Sequence, residues 1–372
     1  MAEVINNFLS GSTISISDLA DHIEKMYKHN LNLFMWGNPG IGKTDAVKQF
    51  VAKQRLTNPD FKSYYLTLAH MDPTDLSGLP MFVEKDGVKV TSWATPEFLP
   101  RDPNAVGVMF LDEYNNASGA VQNACQQLIQ ERRIGNYHLP DGIFIIAAGN
   151  PEGQNNASTQ LSAPTKNRFA HVLVKTSLDA WQPYFLRQNY SVEVKQLILG
   201  YLKQNPNHFE DEEAMNVGSY TFATPRSWNK VAELLSDNLD SDRDTIALCV
   251  SQYMGGEIGQ AFASYKENSD RYQNPLEIIE GKEFTCGHDI IGFYSTMYGV
   301  IATLFTWLDQ KDKVDGIAKG ISNLFKATRK LKDAGLLTAT ATMVVKSGLI
   351  SHTSIEDMME LAPVIKEART RN

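Results

Sequence analysis

The stretch NLFMWGNPGIGKTDAV, residues 32–47, decides the fold. It begins with an apolar run, continues through three closely spaced glycines, and ends in a polar pattern typical of a helix start. Its centre fits the pattern G-x-x-x-x-G-K-[ST], with Gly37, Gly42, Lys43 and Thr44 at the fixed positions. A strand before such a loop and a helix after it indicate an α/β fold.

The residue types in this loop suit a phosphate group. Glycines let backbone N–H groups converge on phosphate oxygens in a conformation that a Cβ would block. The following helix offers its positive N-terminus to an anion, Lys43 reaches the β- and γ-phosphates, and the Thr44 hydroxyl ligates Mg²⁺. The sequence therefore predicts bound ATP and Mg²⁺. The predicted nucleotide-binding residues are Gly37, Asn38, Pro39, Gly40, Ile41, Gly42, Lys43 and Thr44, together with Asp112.

A second motif supplies the groups needed for hydrolysis. VGVMFLDE, residues 106–113, is an apolar run that ends in two acids. At the end of a buried strand, Asp112 can hold magnesium through water, and Glu113 can polarise the attacking water. Thr44 and Asp112 are thus the predicted metal residues. Glu113 is the predicted catalytic residue of a magnesium-dependent ATPase.

The hydrophobic pattern of the first half predicts strands that alternate with helices, hence a mainly parallel sheet with helices on both faces. An Asp86-Gly87 pair between two alternating runs predicts a β-hairpin. Ser17 is the expected cap of a helix over 17–30. The predicted sheet strands are Leu31–Trp36, Tyr64–Leu68, Val106–Leu111 and Phe144–Ala148.

From about Leu178 the pattern becomes helical. TPRSWNKVAELLSD has Thr224 as the predicted cap and Pro225 at the first helical position. We predict three parts: an α/β nucleotide-binding domain over 1–177, an α-helical domain over 178–280, and a helical C-terminal extension over 281–372.

Composition limits the function classes. The net charge of −8 argues against a protein that mainly coats nucleic acid. Three cysteines without metal-type spacing are typical of a reduced, intracellular protein. No apolar run is expected to reach the ~18 residues of a membrane span. We expect a cytoplasmic protein with no membrane partner.

The ordered motifs GNPGIGKT, DLSGLP, FLDEYNNA, IIAAGNPE, NRFAHV and TPRSW resemble those of the AAA+ ATPases, and within them the MoxR-like group. The resemblance covers roughly Leu31 to Asp237. It implies that Asn150 is the sensor 1 residue, that Arg168 is the finger presented to the neighbouring subunit, and that Arg226 is sensor 2 in a helical lid. Asn167 stands where the family often has aspartate, and Arg132 and Arg133 are the alternative finger residues.

The resemblance also implies which molecules the protein assembles with and acts on. A finger acting between subunits requires an assembly, expected to be a hexameric ring. MoxR-like proteins remodel protein targets, typically with a partner that carries a von Willebrand factor A domain. Two other hypotheses stay open: a nucleic-acid motor or restriction-system NTPase, and a nucleotide-gated assembly scaffold. Stimulation of ATP hydrolysis by DNA or RNA would favour the motor.

Overall fold

The computed structural model describes residues 10–151, 161–269, 272–285, 289–308, 310, 313–353 and 362–363. The chain divides after Thr176 into two compact units, residues 1–176 and 177–372. The sequence places the end of the first domain at residue 177. Its further division of the helical half at residue 280 stays a prediction.

A six-stranded, all-parallel sheet forms the centre of the first unit, as predicted. The strands of this unit are β1 (Thr13–Ser15), β2 (Leu33–Trp36), β3 (Lys62–Thr67), β4 (Pro80–Lys85), β5 (Val88–Trp93), β6 (Gly107–Asp112), β7 (Arg133–Ile134), β8 (Tyr137–His138), β9 (Ile143–Gly149) and β10 (Ala170–Lys175). The order across the sheet is β1-β10-β2-β9-β6-β3. Separate antiparallel hairpins are formed by β4 with β5 and by β7 with β8.

Both faces of the sheet are buried, which explains the continuous apolar runs of its strands. In β2, Phe34 and Trp36 belong to one hydrophobic core, and Leu33 and Met35 belong to another. Successive strand residues point to opposite faces, so the two cores lie on the two sides of the sheet. The helices of this unit are α1 (Leu19–Lys28), α2 (Lys43–Thr57), α3 (Pro73–Ser77), α4 (Gly119–Glu131) and α5 (Ala163–Lys166).

The sheet order brings the predicted functional segments together. Strands β2, β9 and β6 are neighbours, and their carboxyl ends lead into the glycine loop, Asn150 and Glu113 respectively. In open parallel sheets, ligands bind outside the carboxyl ends of the strands. The topology therefore gathers polar side chains from distant parts of the chain at one edge.

Local predictions are confirmed in part. At the tip of the predicted hairpin, Asp86 and Gly87 both have positive φ, 53° and 76°, as a type I′ turn requires. The Thr224 cap is confirmed, because its hydroxyl accepts from the Ser227 backbone N–H at 3.1 Å. Ser17 is not the cap of α1. It lies in a 3₁₀ turn that Ser15 caps two residues earlier, accepting from the Ser17 N–H.

The second unit is helical in its described part. Its helices are α6 (Leu178–Arg187), α7 (Val192–Gln204), α8 (Glu212–Asn216), α9 (Pro225–Asn238), α10 (Arg243–Met254), α11 (Gly256–Ser269), α12 (Pro275–Ile279), α13 (Ile290–Leu308), α14 (Val314–Lys330) and α15 (Ala334–Ser347). One hydrophobic core contains buried residues from Trp181 to Leu349. Helices before and after residue 280 thus contribute to the same core.

The expectation that no apolar run reaches the length of a membrane span is wrong. Helix α13 has 19 residues and is apolar enough to cross a membrane by length and composition. However, 67% of its most apolar window is buried inside the protein. A core helix shows the same composition and the same burial. The helix is therefore weak evidence for a membrane span, and the cytoplasmic location stays a prediction.

The packing of α10 against α11 generates a stability prediction. A Cβ on Gly259 would lie 2.6 Å from the Ala247 carbonyl oxygen and would also meet the Ser251 hydroxyl. Gly259→Ala should therefore push the helices apart and lower the free energy of unfolding by about 1–3 kcal/mol. Gly256→Ala is the matched control, since its Cβ would meet nothing within 4 Å. Equal thermal melting of both variants and the unchanged chain would contradict this account of the packing.

Candidate nucleotide site

The loop between β2 and α2 has the backbone that its glycines predict. Gly40 and Gly42 have φ of 79° and 103°, a region that disfavours residues with a Cβ. At Gly37, a Cβ would lie 2.6 Å from the Ile41 side chain and 2.9 Å from the Val174 carbonyl oxygen. The loop is thus packed against β10 through a position where only glycine fits.

Lys43, the first residue of α2, points its ammonium back into this loop. Its Nζ donates to the carbonyl oxygens of Gly37 at 2.6 Å and Asn38 at 2.9 Å, and to Asn150 Oδ1 at 3.1 Å. The residue is only 8% exposed. A buried ammonium needs several oxygen partners, and these three fix its position between the loop and the end of β9.

Thr44 and Asp112, the predicted metal residues, are in contact. The Thr44 hydroxyl donates to Asp112 Oδ2 at 3.0 Å, and the Glu113 backbone N–H donates to Asp112 Oδ1 at 2.9 Å. Hydroxyl and carboxylate oxygens are the hard donors that Mg²⁺ prefers. The donor set therefore fits a magnesium ion.

Glu113 has an uncommon backbone. Its φ of 53° places it in the left-handed region, which costs a non-glycine residue about 1 kcal/mol or more. Hydrogen bonds on both sides of the residue hold this conformation: its N–H donates to Asp112, and its carbonyl accepts from the Asn116 N–H at 3.0 Å. Such strain often accompanies functional residues. The role of Glu113 as the base stays a prediction.

Asn115 is a residue of this candidate site that the sequence did not predict. It is fully buried, its Nδ2 donates to the Asn150 carbonyl at 2.8 Å, and its Oδ1 accepts from the Asn150 N–H at 3.2 Å. This paired bond clamps the backbone of Asn150, whose side chain contacts Lys43. A Cβ on Gly149 would collide with the Asn115 side chain, so this glycine gives the clamp room.

Arg168, the predicted finger, follows α5. Its Nη1 donates to the Pro164 carbonyl at 2.5 Å, and its backbone N–H donates to the Thr165 carbonyl at 3.1 Å. Both bonds tie the residue to its own short helix, and the side chain is partly exposed. The assignment of Arg168 as the finger stays a prediction.

The alternative finger residues have local partners. The Arg132 Nη2 donates to the carbonyls of Pro140 and Ile143, at 2.5 and 2.8 Å, and burial lowers its pKa. This guanidinium thus joins the end of α4 to the start of β9. The Arg133 guanidinium is exposed and pairs with Glu131 at 2.6 Å.

Arg226 belongs to the second unit. It is exposed and occupies the second position of α9, directly after Pro225. Its assignment as sensor 2 stays a prediction.

A family comparison identifies the segment that carries this site. Residues 32–169 match the family model described as AAA domain (dynein-related subfamily). The matched segment contains the glycine loop, Asp112, Glu113, Asn150 and Arg168. It is an AAA domain of the AAA+ ATPase class, a class that binds nucleotide, and the resemblance seen in the motifs is confirmed at this level. No curated protein matches the chain.

Solved structures show a distant likeness. RuvB from Thermotoga maritima, a Holliday junction branch migration motor, is 14% identical, with 71% of this chain and 72% of that chain covered and a TM-score of 0.31. NtrX from Brucella abortus is also 14% identical, with 87% and 68% covered and a TM-score of 0.32. The fold assignment rests on the strand order and the phosphate loop, not on these low scores.

The clamp on Asn150 generates a prediction. Asn115→Ala leaves the part-buried N–H and carbonyl of Asn150 without these partners, which should destabilise the domain by about 1–3 kcal/mol. Since Asn150 then loses its fixed position, ATP hydrolysis should also fall. Phosphate release and thermal melting measure the two effects.

Asn116→Ala is the matched control for this variant. Its side-chain oxygen has no hydrogen-bond partner within the described ranges, so we expect near-normal hydrolysis. Normal phosphate release by Asn115→Ala would show that the clamp has no part in catalysis.

Proposed function

We propose that the chain is a MoxR-like AAA+ ATPase that hydrolyses ATP in a ring and remodels a protein target. One observation carries the hydrolytic part of this proposal. Lys43 bonds to Asn150, and Thr44 bonds to Asp112, so the first two residues of α2 are hydrogen-bonded to the ends of β9 and β6. The Lys43 ammonium, the proposed metal donors and the proposed water-orienting amide of Asn150 therefore lie together at one edge of the sheet.

ATP binding follows from the loop and the helix behind it. Helix α2 has 15 residues and begins at Lys43, so its first N–H groups and positive end meet the loop. An anion there gains both the backbone donors and the buried ammonium. Magnesium, held by Thr44 and Asp112, would neutralise charge on the phosphate oxygens.

The hydrolytic roles rest on the positions of two residues. Glu113 follows the metal-binding Asp112 directly and is the proposed acceptor of the water proton. Asn150 has a defined amide orientation, because Lys43 can only donate and therefore bonds to Oδ1. Its Nδ2 is left on the opposite side of the amide group, and we assign it to orienting the attacking water.

The ring part of the proposal rests on Arg168. Its guanidinium offers fixed donors to charge on the transferred phosphoryl group, an effect worth roughly 10³–10⁵ in rate in other enzymes. We assign this role to Arg168 in the neighbour's site, which requires at least a dimer and, by resemblance, a hexamer. Arg226 would then link nucleotide state to the helical unit.

The proposed target is a protein. The net charge of −8 supports a protein target over nucleic acid, whose backbone attracts basic surfaces. We further propose, by resemblance to the MoxR-like group, a partner with a von Willebrand factor A domain. The cysteine content supports a cytoplasmic location.

The solution mass of Glu113→Gln tests the shared site. This substitution removes the proton acceptor but keeps the size of the side chain, so the protein should bind ATP without hydrolysing it. We expect a shift to about six subunits on addition of ATP and Mg²⁺, measured by light scattering.

The double variant Lys43→Ala, Glu113→Gln is the control. It lacks the ammonium and should stay at the mass found without nucleotide. A monomer that binds ATP would contradict the ring and leave Arg168 without a role between subunits.

A further inference from the structure

A hydrogen bond links the strand before the phosphate loop to β10. The indole Nε1 of Trp36 donates to His171 Nδ1 at 3.0 Å. Trp36 is the last residue of β2 and directly precedes Gly37. In the parallel pairing His171 lies opposite Phe34, so His171 and Trp36 are diagonal neighbours across the two strands.

The second nitrogen of His171 makes another bond. Its Nε2 lies 2.8 Å from the Lys166 carbonyl oxygen. Because an indole can only donate, Nδ1 must be the accepting nitrogen, and Nε2 then carries the proton and donates to the carbonyl. Burial lowers the pKa of this imidazole, which favours the same neutral form. His171 is thus a bridge with a fixed direction from Trp36 to Lys166.

The far end of this bridge lies beside Arg168. Lys166 is the last residue of α5, two positions before Arg168. Arg168 is itself bonded to α5 through Thr165 and Pro164. A contact that holds the end of α5 therefore also holds the base of the Arg168 side chain.

Aromatic rings pack around the bridge. Phe34 stacks on Trp36 with centroids 4.4 Å apart, and its edge-to-face partners are Phe169 at 5.5 Å and Tyr114 at 5.8 Å. Phe169 directly follows Arg168, and Tyr114 directly follows Glu113. The cluster therefore lies next in sequence to the loop, the acid and the arginine.

We propose that His171 is a positioning residue that fixes Arg168 relative to the phosphate-loop strand of its own subunit. The arginine then enters the neighbour's site from a base anchored to β2. This inference rests on the proposed function of Arg168. It predicts that His171 matters for the neighbour's hydrolysis and not for its own subunit's ATP binding.

The variant His171→Phe removes both hydrogen bonds and keeps an aromatic ring in the cluster. ATP affinity and the mass with ATP should stay as in the unchanged protein. The hydrolysis rate should fall by about 10- to 100-fold, as expected when a catalytic group is misplaced by about 1 Å. His171→Gln, which offers both an acceptor and a donor, should recover part of this rate.

Mixing of variants tests which subunit is affected. Glu113→Gln binds ATP without hydrolysing it and keeps its arginine, whereas Arg168→Ala binds ATP but lacks the arginine. A mixture of equal amounts of these two variants should hydrolyse ATP faster than the sum of the separate rates. His171→Phe should gain rate in the same way with Glu113→Gln, and should gain nothing with Arg168→Ala.

The outcomes separate this inference from the proposed function. If Glu113→Gln and Arg168→Ala do not complement each other, the shared site and the inference are both overturned. If they do, and His171→Phe gains rate with Arg168→Ala, or with neither variant, the inference alone is overturned. Trp36→Phe, which removes the indole donor and keeps the ring, serves as the second variant should His171→Phe not fold. Trp36→Phe must then gain rate with Glu113→Gln, and its failure to do so overturns the inference.

Discussion

The buried ammonium of Lys43 is the constraint on which the site depends. Its bonds to Gly37, Asn38 and Asn150 join the loop to the end of β9. A buried cation is costly without such partners, so the surrounding oxygens must be held in place. Asn115 meets this need by clamping the backbone of Asn150. The order of the strands brings these groups to one edge.

Local patterns in the sequence are sufficient to predict most residues of this site. The loop glycines, Lys43 and Thr44 could be predicted because each has a role at a fixed spacing within one short segment. Asp112 and Glu113 were predictable because an apolar run ended in two acids. The loop residues and the two acids come together because the strands that precede them are parallel, so that their carboxyl ends lie at the same edge of the sheet.

The remaining contacts join residues that are distant in the chain. Asn115 and Asn150 are 35 positions apart, and Trp36 and His171 are 135 apart. No local sequence pattern around a single asparagine or histidine predicts which distant residue it will contact. The apolar helix α13 shows a related limit, since composition alone does not tell a core helix from a membrane span. Helix α1 begins later than predicted, at Leu19, because Ser15 caps an additional 3₁₀ turn that precedes the helix.

Equilibrium binding of ATP to the unchanged protein and to Lys43→Ala tests the central claim most directly. The claim is that the loop and its buried ammonium form a nucleotide-phosphate site. Loss of a charge-assisted contact should weaken ATP binding by about 10- to 100-fold while the fold, followed by circular dichroism, stays intact. Equal affinity of the two folded proteins, or no ATP binding by either, would contradict the account.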